Sequence, residues 1–96
     1  MGPDGINHEI RNRIRLSVAA LAYELHDDPV MSDSEFDKLA YTIRPHEKTG
    51  RATLDRFFRT HFEPDSGVWV RRHPEIGKLN RLYFAHYRED RIEDLL

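Results

Sequence analysis

Asp27-Asp28-Pro29-Val30-Met31-Ser32-Asp33-Ser34-Glu35-Phe36-Asp37-Lys38-Leu39 holds a helix stop and a helix start within thirteen residues. Pro29 has no amide proton and drives Asp28 out of helical geometry, so a helix arriving from the N-terminal side ends here. Ser32 to Glu35 has the form of a capping box: the Ser32 hydroxyl accepts from the third helical amide and Glu35 reaches back. Asp33, Glu35 and Asp37 place negative charge at the positive end of the new helix.

Upstream, residues from about Ile6 to His26 set Ile10, Ile14, Val18, Leu21 and Leu25 at spacings of four and three, which predicts a helix with one apolar stripe. Glu9, Arg11, Arg13, Arg15 and Glu24 fall mostly off that stripe. Downstream, Phe36, Leu39, Ala40 and Ile43 form the buried face of the second helix, which Pro45 stops at about Arg44. His46 to Gly50 reads as a loop. A third helix is expected from about Ala52 to His61, with Leu54, Phe57, Phe58 and Phe62 inward. Glu63-Pro64-Asp65-Ser66-Gly67 is a turn. Val68-Trp69-Val70 has no partner strand, and is expected as an ordered loop with Trp69 as a plug. Pro74 is expected to open the last helix, with Ile76, Leu79, Leu82, Tyr83 and Tyr87 along its stripe. Tyr83 and Phe84 are neighbours and point in different directions, leaving one exposed to a partner. The charged tail from Arg88 to Leu96 is expected to fray or to extend that helix. The fold class is therefore all-α: one domain over residues 1–96 with about four helices and short connections.

A chain of 96 residues has room for one modest core. Apolar residues are 39% and charged residues 33%, a globular composition at the polar end. There is no cysteine, which excludes disulfides and thiolate metal sites. No apolar run approaches the roughly 18 residues of a membrane span. The first five residues lack a basic region followed by an apolar one, so a cytoplasmic protein is expected. The net charge of −2 gives no global pull toward nucleic acid. Twelve of the fifteen basic residues are Arg, however, and Arg suits local contacts to carboxylate or phosphate.

The opening stretch also comes close to the form D-x-P-x-x-x-D-x-E-Y-D-x-L, with Phe36 at the Tyr position, and is preceded by a helix carrying Tyr23. Over about residues 10–44 it resembles the small N-terminal helical domain of NAD-dependent DNA ligases. In that family the segment holds the nicotinamide mononucleotide half of NAD. The resemblance implies a shared helical fold, and implies cofactor-binding roles for Tyr23, Asp33, Phe36 and Asp37. Aromatic faces would stack on the nicotinamide ring, and carboxylates would meet ribose hydroxyls and the pyridinium charge. The chain departs from the family pattern in two places: Glu24 stands where His is usual, and Phe36 where Tyr is usual. It has no K-x-D-G nucleophile motif and none of the other ligase domains, so it is not expected to ligate DNA or to act as an enzyme. Stand-alone proteins of this kind resemble small phage or prophage accessory proteins.

Three functions from different classes follow. The first is a non-enzymatic interaction protein, without a cofactor, that docks a protein partner or a second copy of itself through an exposed patch on the last helix. The second is a binding module for nicotinamide mononucleotide or NAD, using Tyr23, Asp33, Phe36 and Asp37. The third is a nucleic-acid accessory protein in which Trp69 stacks on a base while Arg71 and Arg72 hold phosphates. No two of the six His stand at H-x-x-x-H spacing, so no metal site is expected.

Overall fold

A computed structural model of the chain describes residues 3–88. Helix α1 spans Pro3–His26, α2 spans Asp33–Thr42, α3 spans Ala52–His61 and α4 spans Ile76–Tyr83. A short 3-10 helix, Val68–Arg72, sits between α3 and α4, and a π-helical turn, Phe84–Arg88, continues α4. No strand occurs among the described residues, and the fold is all-α. The charged tail beyond Arg88 lies outside the described residues.

Helix α1 is the central element, packed against α2, the 3-10 helix and α4. Its Leu16 and Leu21 are fully buried with Phe58, Val70 and Tyr83. Each such side chain contributes about 1.5–3 kcal/mol by leaving water. The expected stripe on α1 is only half right. Val18 and Leu21 are buried, but Ile14 is 36% and Leu25 40% exposed. Residues Leu16 to Ala22 are buried all round, because neighbours close on the helix from several sides.

The N-terminal half of α1 buries charge instead. Glu9, Arg13 and Asp55 are 3%, 4% and 7% exposed. The Arg13 guanidinium donates through Nε to Glu9 Oε2 at 2.7 Å and through Nη1 to Asp55 Oδ1 at 2.9 Å. Its Nη2 donates to the carbonyls of Arg44 at 2.7 Å and Glu47 at 3.1 Å. The carboxylates accept in turn from the Arg44 amide and from the amide and hydroxyl of Thr49. The guanidinium also lies 4.9 Å from the centre of the Phe58 ring. This network joins α1, the 44–49 loop and α3. It also ends α2 at Thr42 rather than at Arg44, since both polar groups of the Arg44 backbone are drawn to Glu9 and Arg13.

The boundary segment behaves as its residues dictate. Asp27 takes φ +48°, a left-handed conformation that Asp tolerates better than most residues. The Asp28 amide reaches back to the Ala22 carbonyl at 2.9 Å, and its carboxylate accepts from the buried Tyr83 hydroxyl at 2.6 Å. The His26 ring stacks on Tyr83 with centroids 4.4 Å apart. The end of α1 is thereby clamped to α4. Ser32 caps α2, accepting from the Glu35 amide at 3.1 Å. The Glu35 carboxylate returns to the Ser32 hydroxyl, also at 3.1 Å.

Helix α3 has the bounds expected of it and joins the core through aromatic contacts. Phe57, Phe58 and Phe62 surround Trp69, with ring centroids 5.2–6.1 Å away. Trp69 is in a 3-10 helix rather than a loop, yet it plugs the core, its Nε1 donating to the Ser66 carbonyl at 2.7 Å. Helix α4 begins at Ile76, two residues after Pro74, because His73 Nδ1 accepts the Glu75 amide and holds residues 73–75 in a turn.

Candidate ligand-binding cleft

A cleft of about 400 Å³ opens between α1, the start of α2 and the turn that precedes the 3-10 helix. Tyr23, Asp33, Phe36 and Asp37 all line it. Two helical spacings bring them there. Asp33, Phe36 and Asp37 are at i, i+3 and i+4, so they share one face of α2. On α1, Ala19, Ala20, Tyr23 and Glu24 form the opposite wall.

The floor is a close approach of backbone. A Cβ on Gly67 would lie 3.1 Å from Ala20 Cβ and 3.6 Å from the Phe36 ring. Any larger residue at position 67 must displace Ala20 or Phe36. Small residues on both sides therefore set the depth of the cleft, while Tyr23, 57% exposed, stands at its mouth.

Four carboxylates border the cleft: Glu24, Asp33, Asp37 and Asp65. None of its lining residues is Lys, Arg or His. Two of the acids are tied from outside. Glu24 meets Arg71, whose Nη2 lies 3.5 Å from the carboxylate and donates to the Glu24 carbonyl at 2.8 Å. Asp65 accepts from the Tyr41 hydroxyl at 2.5 Å. That hydrogen bond and the charge of Asp65 raise the Tyr41 pKa above its usual value, with Asp37 adding to the effect. Asp33 and Asp37 make no hydrogen bond to another side chain among the described residues and remain available to a guest.

The cleft thus offers two aromatic side chains, two available carboxylates and a negative field. Its volume lies in the range of small-molecule sites, which run from about 300 to 1,000 Å³. Such a lining attracts a planar cation bearing hydroxyl groups. Glu24 and the Asp65-Ser66-Gly67 turn belong to the cleft but were not among the expected binding residues. Glu24 entered as a departure from the family pattern, and the turn read only as punctuation.

The residues chosen for nucleic acid are not brought together. Trp69 is 5% exposed and packed among three Phe rings, so neither face can take a base. Arg71 is engaged with Glu24, while Arg72 lies apart, beside a shallow depression with Arg56 and His61. The base-stacking role expected of Trp69 is excluded by its burial. Among the described residues no group of three or more His, Cys, Asp or Glu could hold a metal ion. None of their helices is long and apolar enough to cross a membrane. Comparison with family models, curated proteins and solved structures finds no match for this chain.

Proposed function

We propose that the chain is a small binding module whose cleft takes a nicotinamide nucleoside or its mononucleotide. The observation that supports this is the convergence of Tyr23, Asp33, Phe36 and Asp37 on one cavity of nucleoside size. Tyr23 and Phe36 provide aromatic surface for the ring, and Asp33 and Asp37 provide acceptors for ribose hydroxyls. The negative lining favours the pyridinium charge. With no cation on the wall, a phosphate would point outward to solvent.

The test is a thermal shift and calorimetry series with nicotinamide riboside, nicotinamide mononucleotide, NAD and adenosine. The pyridinium ligands are expected to raise the melting temperature, since they bind only the native state. Adenosine is expected to leave it unchanged. The double variant Asp33→Asn/Asp37→Asn is expected to weaken the riboside by about tenfold or more, as two charge-assisted contacts are lost. No shift with any pyridinium ligand at millimolar concentration rejects the reading.

A second reading is supported by a different observation. Leu82, Phe84 and Tyr87 are 36–41% exposed on α4 and the turn after it, with Ile14 of α1 at 36%. Such a surface suits a non-enzymatic accessory protein that docks a partner or a second copy. Self-association in light scattering, abolished by Phe84→Glu, is the expected result. A monomer at all concentrations up to millimolar removes the homodimer.

A further inference from the structure

We propose that the depression beside α3 binds a phosphate monoester, held by the guanidinium groups of Arg56 and Arg72. This site shares no lining residue with the cleft and does not depend on the function proposed for it. The depression is about 220 Å³ and draws its donors from two elements. Thr53, Arg56 and Thr60 stand at i, i+3 and i+7 on one face of α3. Arg72 ends the 3-10 helix, which the buried Trp69 and Val70 anchor to the core. His61 also lines the depression, its ring 5.6 Å from that of the buried Phe57.

Two cations and a histidine are gathered here without a counter-charge. The chain has 17 acidic residues, yet none lines the depression. Arg13, Arg71 and Lys78 each meet a carboxylate within 3.5 Å. Arg56 and Arg72 make no side-chain ion pair or hydrogen bond among the described residues. The Thr53 and Thr60 hydroxyls are uncommitted in the same sense, whereas that of Thr42 returns to the Leu39 carbonyl at 2.6 Å. A concave surface lined by one sign of charge concentrates the opposite ion at that place. Like charges set together work against the fold, and such departures from local consistency gather at functional sites.

The donors decide the kind of anion. A guanidinium is a planar fork that meets two phosphate oxygens at once. Two forks balance the charge of about −1.5 to −2 that a phosphate monoester carries at pH 7. The threonine hydroxyls can donate to the oxygens that remain. Phe57 and Pro74 give the carbon side of the ester an apolar contact. Nucleic acid suits the site less well. Single-strand binding relies on aromatic faces open to bases, and Phe57 and Trp69 are each 5% exposed. The net charge of −2 also opposes a long polyanion.

Calorimetry with phenyl phosphate on the 96-residue chain at low ionic strength tests the proposal. Saturable binding is expected, weakening as salt is raised. Arg56→Gln and Arg72→Gln are each expected to weaken it by about tenfold, as one charge-assisted fork is lost. Arg59→Gln removes the same charge from an exposed position on α3 outside the depression, and should change the affinity by less than about twofold. All three arginines are exposed, so the variants should melt as wild type does. A phosphoserine peptide run beside phenyl phosphate identifies the source. Tighter binding of the peptide assigns the ester to a modified protein, equal or weaker binding assigns it to a free small molecule, and both support the site. Three results each overturn the proposal: no saturable binding at millimolar phenyl phosphate, an equal loss in Arg59→Gln, or single-stranded DNA bound more tightly than either monoester. Nicotinamide riboside carries no phosphate and should not compete. Competition would place the ester in the cleft and also overturn the assignment.

Discussion

Arg13→Ala is expected to destabilise the fold by about 3–5 kcal/mol, the usual cost of stripping one partner from a buried ion pair. The variant leaves Glu9 and Asp55 buried and facing each other's charge without the guanidinium between them. It also strands the carbonyls of Arg44 and Glu47. A domain of this size has roughly 5–14 kcal/mol in total, so the loss is a large share of what holds it folded. Urea denaturation should show the midpoint falling with little change in slope. Arg13→Lys should recover little of it, because an ammonium cannot serve Nε, Nη1 and Nη2 directions at once. A loss below about 1 kcal/mol would show that the network is solvated and contributes only as a surface ion pair does.

Acidification should destabilise the protein in two stages, and the first belongs to His73. Burial pushes its pKa down to about 4, against a weaker opposing pull from Glu75. The ring lies 5.0 Å from Phe57 and 6.3 Å from Phe58, with little water to stabilise a charge. The native state therefore binds fewer protons than the unfolded chain between about pH 6.5 and 4. Stability is fully present above pH 6.5 and is lost as pH falls through that window. Between pH 7 and 4.5 the loss from this residue is roughly 2 kcal/mol. His73→Asn keeps an acceptor near Nδ1 for the Glu75 amide but does not titrate. The wild type should lose about 2 kcal/mol more than this variant across the same interval, measured by chemical denaturation at each pH. Parallel losses would show that His73 is protonated without strain.

Asp55 supplies the second stage. Burial raises its pKa, but the Thr49 hydroxyl and amide and the Arg13 guanidinium outweigh that and hold it below its ordinary 3.8. Its contribution is present above that value and is lost only as the pH falls further. The two groups act in the same direction through adjoining windows.

Much of the helical layout could be read from sequence because its signals are local. The Ser32 cap, the Pro29 stop and the bounds of α3 depend on residues within a few positions of each other. The four residues that line the cleft came from the resemblance, whereas the local pattern read Asp33 and Asp37 as first-turn acids and Phe36 as core; that they meet in one cleft depends on how α2 packs on α1. What escaped was set by partners far along the chain. Arg13 meets Asp55 across 42 positions, and nothing in the periodicity of α1 separates it from Arg11 or Arg15. Its apolar stripe misled because Ile14 sits at a cavity rim and Leu25 at an exposed end. Trp69 was given both a packing role and a stacking role, and only the surrounding Phe rings decide between them.

The 44–49 segment has almost no regular secondary structure, yet its backbone is held as a helix interior would be. Two of its carbonyls and two of its amides close on charged side chains from α1 and α3. Such a loop cannot breathe by itself, since opening it would release a buried guanidinium and two carboxylates together. In dynamic terms it belongs to the same cooperative unit as α1, and the Arg44 and Thr49 amides are expected to exchange with solvent only when that unit opens. At those two positions the loop is expected to be slow for the reason a core is slow, with buried charge in the holding role.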